Sequence, residues 1–238
     1  MTLDDIFDQL TYGELSHLFI TPGAVPATGL PADKRKGIFL SVQLGLTELY
    51  KRFKLREGSL TIGLAADKYS YLLTTRYAES NLKSTGVVKH ILDADSPFLD
   101  DLLQIEKVYS EDGTELPLNM LDDEDSIMTP SFNSIVIPDD LEGDTLRIQY
   151  RANHPVLQAH VAIAAPSIVT IDLPPTHLKA LLLWVASRVH TKPISMDMFH
   201  DGNNYYGKFE AACAELVNSG FHVENSGVND RLRSKGWV

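Results

Sequence analysis

The residues best suited to metal binding or acid–base chemistry are eight histidines and several runs of carboxylates. His177 and His190 fall on one predicted helix, but they lie 13 positions apart. Zinc ligands on a helix need a separation of three or four residues, so that both side chains share one face. His200 and Asp201 form an isolated pair in a predicted loop. This spacing favours structural histidines and predicts no metal site.

The densest acidic run comprises Asp122, Asp123, Glu124 and Asp125. Such a run attracts cations, but it lacks the alternating ligands and the central glycine of an EF-hand loop. A solvated acidic loop is therefore the simplest interpretation, and attraction of a cation is the alternative.

The only cysteine, Cys213, lies on the apolar side of a predicted helix, where a cysteine acts as a small hydrophobic residue. A nucleophilic thiol needs an activating base, and the sequence shows none beside it. The chain also lacks a GxSxG elbow, a Walker A loop and a GxGxxG turn. We therefore expect no catalysis, no disulfide within the chain and no cofactor.

The C-terminal segment combines apolar and basic residues in a way that free tails rarely do. Phe221 and Trp237 are interleaved with basic residues of the type that dominates interface energetics. We predict that residues 225–238 form an arm that binds a partner, and the alternative is that Trp237 folds back on its own core. The predicted contact residues are Arg231, Leu232, Arg233, Lys235, Trp237 and Val238.

Charge is distributed unevenly along the 238 residues, whose net charge is −11. The segment from Asp93 to Asp144 contains 16 acidic residues and one basic residue, Lys107, whereas the remainder has a net charge of +4. This distribution argues against a broad nucleic-acid-binding face, which needs clustered lysine and arginine. No apolar run is long enough to span a bilayer, and the acidic N-terminus does not resemble a signal peptide, so we expect cytoplasmic synthesis.

Hydrophobic periodicity predicts helices at both ends of the chain and strands between them. Two short helical pieces within residues 2–20 precede a proline-rich loop and a helix from Asp33 to about Lys54, with Thr11 and Glu14 as a capping pair. Residues 58–173 alternate with a period of two in several stretches, including SIVTIDL, and Asp112-Gly113 predicts a hairpin turn. PFLDDLLQI fits either a helical turn or a strand.

The C-terminal part returns to helical spacing. A helix begins after Pro174 and Pro175 and ends before Pro193, and a last helix runs from about Asn203 to a terminating Gly220. The predicted fold is therefore α+β. Residues 1–57 and 174–224 form a helical bundle, residues 58–173 an inserted antiparallel β domain, and residues 225–238 an extended arm.

With these elements in place, the chain resembles the head–tail adaptor (connector or neck) proteins of tailed bacteriophages, of the longer type with a β insertion. The resemblance extends over most of the chain and rests on general patterns. The stretches that carry it include TLDDIFDQLTYGELSHLF, VYSEDGTELPLNM, FNSIVIP, LPPTHLKALLLWVASRVHTKP, HDGNNYYGKFEAACAEL and NDRLRSKGWV.

The resemblance implies a virion structural protein that forms a ring of twelve copies beneath the portal at the head–tail junction. The arm would dock on the portal, the β domain would face the tail or nozzle protein, and DNA would pass through without specific binding or membrane contact. The acidic residues Asp122 to Asp125 would line the channel, and the helix surfaces 51–56 and 210–215 would supply contacts between copies. Another tail component, such as a tail tube or tail terminator, is the alternative; a hydrolase or a host-side binding module are weaker ones.

Overall fold

The computed structural model describes residues 1–19, 30–139, 141, 143–190 and 196–220. The chain divides into a helical unit, Met1–Lys54 with Val156–Val238, and a β unit, Leu55–Pro155. The predicted α+β class is confirmed. The boundary differs from the predicted one, because residues 156–173 belong to the helical unit and not to the β unit.

Six α-helices lie in the described part of the helical unit. Their bounds are α1 Leu3–Tyr12, α2 Ser16–Phe19, α3 Ala32–Arg52, α4 Ala159–Ala164, α5 Leu178–His190 and α6 Met196–Asn218.

The N-terminus of α1 is fixed by a capping box. The Asp5 backbone N–H donates to Thr2 Oγ1 at 3.2 Å, and the Thr2 backbone N–H donates to Asp5 Oδ2 at 2.8 Å. The capping role predicted for Thr11 is wrong, because its hydroxyl donates to the carbonyl of Phe7, one turn earlier in the same helix.

Helix α5 forms the centre of the helical unit, packed against both α3 and α6. Leu181 and Val185, in the middle of its predicted apolar stripe, are fully buried, whereas Leu178 and Val189 near its ends are partly buried. Gly45 of α3 lets this packing become close, because an added Cβ there would lie 2.6 Å from Trp184 Cδ1 of α5. The central helices are therefore held by direct backbone-to-side-chain packing.

The segment SIVTIDL, predicted as a strand of the β domain, begins within a 3₁₀ turn, Pro166–Ile168, and continues as an extended stretch. The extended stretch pairs with the beginning of the chain: the Leu3 N–H donates to the Val169 carbonyl, and the Ile171 N–H to the Met1 carbonyl, both at 2.9 Å. The alternation of apolar residues was read correctly as extended backbone, but its partner is the N-terminus and not a sheet.

The β unit contains two small antiparallel sheets. In the first, the strand order is β1-β7-β3-β4; in the second, it is β2-β6-β5. The strands are β1 Glu57–Gly63, β2 Ser70–Leu72, β3 Leu102–Tyr109, β4 Glu115–Leu116, β5 Met128–Ser131, β6 Ser134–Val136 and β7 Thr145–Ala152.

The ambiguous PFLDDLLQI segment leads into β3, which pairs with β7. Its buried residues Leu102, Ile105 and Val108 are three apart because the register with β7 shifts twice along the strand. Such irregularities disturb the period of two, so the sequence alone could not separate helix from strand. The predicted hairpin at Asp112-Gly113 is confirmed between β3 and β4, with Gly113 at φ +87°.

Candidate interaction surfaces

The predicted arm lies outside the described residues, which end at Gly220. Gly220 adopts φ +74° and donates its N–H to the Val217 carbonyl, just after α6 ends at Asn218, close to the end that the sequence indicated. The predicted partner contacts that fall beyond this point are Arg231, Leu232, Arg233, Lys235, Trp237 and Val238. The predicted start of the last helix near Asn203 is wrong, because α6 begins at Met196 and includes His200 and Asp201, which were expected in a loop.

The predicted channel-lining residues Asp122, Asp123, Glu124 and Asp125 lie together on a turn of the β unit, and all four are exposed. The turn is held by short-range bonds. The Asp125 N–H donates to Asp123 Oδ1 at 3.0 Å, and the buried Ser126 hydroxyl accepts from the Met120 N–H at 2.9 Å. None of the salt bridges within the described residues includes one of these four carboxylates.

Two other carboxylates of the acidic segment, Asp93 and Asp101, are withdrawn from the surface and hold the fold. Asp93 is 5% exposed and accepts hydrogen bonds from the backbone N–H groups of Ser80 and Phe98 and from the Ser80 hydroxyl. Burial alone would raise the pKa of Asp93, but these hydrogen bonds outweigh it and lower the pKa. Asp93 is therefore a charged residue that is fixed inside the β unit by neutral donors.

A second structural carboxylate is Asp101, which links two parts of the β unit. It accepts a hydrogen bond from the Tyr150 hydroxyl at 3.0 Å and pairs with Arg56 at 3.1 Å. Burial and the nearby Asp101 charge raise the pKa of Tyr150. Because the phenol stays protonated, it is a permanent donor to the carboxylate.

The histidines singled out by sequence serve the helical core. His177 is 2% exposed; its Nδ1 lies 3.0 Å from Thr176 Oγ1, and its ring packs edge-on against Phe53 at 4.8 Å. Burial lowers the pKa of His177. His190 is fully buried and stacks on Tyr205. Within the described residues, no group of three or more histidine, cysteine or acidic side chains could hold a metal ion.

Cys213 is buried in α6, and burial raises the pKa of its thiol to about 11. A thiolate, the reactive form, is therefore scarce at neutral pH. This environment matches the structural role that the sequence predicted for Cys213.

The two helix surfaces predicted to contact neighbouring copies meet within one chain. The Arg52 guanidinium donates to both carboxylate oxygens of Glu210, at 2.7 and 2.8 Å, and to Glu48 at 2.7 Å. These hydrogen bonds raise the pKa of Arg52, and the bond to Glu210 has the largest effect. Arg52 and Glu210 thus join α3 to α6, and their charges are satisfied without a second copy.

Sequence reasoning missed an exposed apolar surface on the side of α3 that faces away from its buried core stripe. Leu40 and Leu44 are 48% and 53% exposed, although the core stripe of the same helix is buried. The signal was present as two leucines four residues apart but outside the core stripe. A second apolar stripe on one helix is typical of a surface that another element covers.

Sequence reasoning also missed a groove in the β unit, beside the edge strand β1. It has a volume of about 630 Å³ and is bounded by Arg56, by residues 57–61 of β1 and by the loop 92–99. Its lining includes the exposed carboxylates of Glu79 and Asp95. Only the fold could reveal it, because these lining segments are distant in sequence.

Compared with protein-family models and with curated proteins, the chain matches none. No helix within the described ranges has the length and apolar content needed to cross a membrane.

Proposed function

We propose that this chain is a virion structural protein that forms a ring at the head–tail junction of a tailed bacteriophage. In this role it docks on the portal, contacts a tail or nozzle protein, and leaves a channel through which DNA passes. It acts by assembly, without catalysis or a cofactor. Its resemblance to head–tail adaptors is the starting point of the proposal.

The observation that carries the proposal is the division of the chain. Residues from both ends build one helical unit, and a β unit of about a hundred residues is inserted between them. This arrangement agrees with the adaptor type that has a β insertion. In the proposed role, the portal contact is assigned to the arm that follows the helical unit and the tail-side contact to the β unit.

Two features of charge support the channel role. Asp122, Asp123, Glu124 and Asp125 are exposed on one turn, and the acidic segment carries few basic residues. Carboxylates that line a channel repel phosphates over roughly 8–10 Å at physiological salt, which keeps a duplex centred and prevents it from sticking. The mildly basic arm, with Arg231, Arg233 and Lys235, would then serve protein contacts.

Mass photometry of the protein mixed with the portal ring of the same genome tests the proposal. We expect the portal species to gain about a dozen subunit masses, as the resemblance implies. A portal species of unchanged mass, with the chain remaining monomeric at high concentration, would favour another tail component or a module outside the virion.

Deletion of residues 225–238 separates docking from folding. We expect the shortened chain to give the circular dichroism spectrum and melting temperature of the full chain, because the described helices and strands end before the deletion. It should no longer shift the portal species. A shortened chain that fails to fold would instead mean that the segment packs on its own core.

A further inference from the structure

Half of the outer edge of β1 is covered by another segment of the β unit. The Gly63 N–H donates to the His90 carbonyl, and the Leu92 N–H donates to the Thr61 carbonyl, both at 2.8 Å. After Leu92 the covering segment leaves the strand and becomes the wall of the 630 Å³ groove. The edge of β1 before Thr61 therefore faces the groove.

Strand geometry identifies the backbone groups that point into the groove. Backbone groups of alternate residues in a strand point to opposite neighbours. The Arg56 carbonyl accepts from Ala152 on the β7 side, whereas Thr61 and Gly63 bond to the covering segment. Ser59, two residues before Thr61, therefore directs both its N–H and its carbonyl outward. Among the described residues, no backbone bond to Ser59 or to the Thr61 N–H from that side is present.

The groove also has apolar and acidic walls. Leu92 and Leu99 line it and are 39% and 58% exposed. Glu79 and Asp95 are exposed carboxylates at its rim, whereas the one cation in the lining, Arg56, is paired with Asp101. An occupant thus meets free backbone donors and acceptors, apolar contact surface and net negative charge.

We propose that this groove binds an extended segment of a partner protein that adds a strand to the open edge of β1. The segment carries lysine or arginine at alternate positions, so that its basic side chains face Glu79 and Asp95 while its backbone bonds to Ser59 and Thr61. The inference requires neither a ring nor a portal; in the proposed function, the partner is the tail-side protein.

Binding to a fluorescent synthetic peptide that alternates lysine with threonine and valine tests the inference on the full-length protein. We expect saturable binding that weakens as salt rises, because the rim charges are exposed. A peptide of the same pattern with glutamate in place of lysine should not bind. Equal binding of the two peptides would overturn the assigned chemistry.

Paired variants locate the site. Glu79→Lys with Asp95→Lys reverses two rim charges, and we expect peptide affinity to fall by at least about tenfold. Asp122→Lys with Glu124→Lys reverses the same number of charges on the acidic turn outside the groove and serves as the matched control. Equal loss in the control and the double variant would show attraction by net charge alone and would overturn the proposed site.

Backbone pairing is tested by one variant and by two measurements on the unmodified protein. The latter two do not depend on whether the variant folds. Ser59→Pro removes the outward N–H, a substitution that edge strands tolerate, and should weaken binding about five- to tenfold. A peptide N-methylated at alternate residues should bind equally weakly to the unmodified protein. Hydrogen exchange at Ser59 and Thr61 should slow when the lysine peptide binds. Full binding of the N-methylated peptide would exclude strand addition.

The chain's own residues 226–238 supply a further probe, since Arg231, Arg233 and Lys235 are also at alternate positions. We expect this peptide to compete poorly with the lysine peptide, because the acidic rim repels Asp230 and because Gly227 and Gly236 disfavour an extended strand. Tight competition that depends on Glu79 and Asp95 would identify a second copy as the occupant and would overturn the assignment to a different protein.

Discussion

The two units of the chain differ most in how they carry charge. Residues 1–54 and 156–238 contain 13 acidic and 13 basic residues, whereas residues 55–155 contain 19 acidic and eight basic residues. The β unit alone therefore accounts for the whole net charge of −11. Any long-range electrostatic force that depends on the net charge of this protein therefore comes from the β unit.

Both units contain ion pairs, such as Arg52–Glu210 in the helical unit and Arg56–Asp101 in the β unit. The β unit also fixes buried and exposed carboxylates without cations. In the β unit, Asp93 and Asp100 accept bonds from neutral backbone and hydroxyl donors, including Thr75 and Ser80. Neutral donors fix a carboxylate without cancelling its charge. The β unit is thus both ordered and strongly acidic.

The largest expected effect comes from a pair of glycines that permit close packing, one in each unit. In Gly58→Ala, the new Cβ would overlap the Tyr150 ring, which Asp101 holds in place. We expect a loss of about 1–3 kcal/mol in unfolding free energy, with faster hydrogen exchange in the β unit. In Gly45→Ala, the new Cβ would collide with Trp184, so we expect faster hydrogen exchange in the helical unit instead.

Gly207→Ala is the control for both glycine variants, since its new Cβ meets no atom within 4 Å. Helix propensity predicts that this variant is as stable as the unmodified protein or gains up to about 1 kcal/mol. If Gly58→Ala lowered the unfolding free energy no more than Gly207→Ala does, the close contact of Gly58 with the Tyr150 ring would be contradicted.

Acid should weaken the helical unit through His177. Burial lowers the folded-state pKa below the ordinary value of 6.5, so the unfolded chain binds protons more readily. The contribution of His177 is complete above about pH 6.5 and decreases as the pH falls below it. Denaturant unfolding at pH 8 and pH 5 should therefore show a loss that is smaller in His177→Gln.

The exposed His160→Gln variant is the matched control for this pH experiment and should keep the full pH dependence. Burial also lowers the pKa of His90, so the β unit contributes a loss of the same sign. An unchanged loss in His177→Gln would mean that other groups cause the acid sensitivity.

A smaller effect is expected at the contact between α3 and α6. Arg52→Ala removes the bidentate salt bridge to Glu210. Because this pair is partly exposed and screened by solvent, we expect the unfolding free energy in chemical denaturation to fall by about 1 kcal/mol. Lys179→Ala breaks the more exposed pair with Glu215, at 3.6 Å, and should have no measurable effect. Equal losses in the two variants would contradict the special role of the Arg52 pair.

The smallest effect on stability is expected at the acidic turn. Replacing Asp122, Asp123, Glu124 and Asp125 by their amides should leave the unfolding midpoint unchanged, because the exposed side chains make only local bonds. Asp93→Asn, a single change at a buried carboxylate with three donors, should lower the midpoint more. In the proposed ring, the four-amide variant should slow DNA ejection from particles.

The sequence predicted the helical unit well because its helices have continuous apolar stripes, as in α5, and because Gly220 marks an end. It was less informative where strands are short or irregular. The shifted register of β3 hid its period, and the partner of Ile171 is at the other end of the chain. Local patterns specify the conformation of a segment better than they specify its partner.

The candidate surfaces show the same limit. The exposure of Asp122 to Asp125 followed from composition, since uninterrupted charge is rarely buried. The groove beside β1 could not be predicted, because Ser59, Glu79 and Asp95 converge only through the fold. The pairing of Arg52 with Glu210 likewise depends on how α3 meets α6, although both were identified as surface residues.

The pairing of β1 with β7 also means that the β unit begins and ends at neighbouring points. Glu57 is opposite Arg151, and the Ala152 N–H bonds to the Arg56 carbonyl. The first and last residues of the β unit therefore lie side by side. A short turn could replace the whole unit without stretching the flanking chain. In protein engineering, this makes residues 55–155 a site where a foreign domain with adjacent termini could be exchanged for the native one.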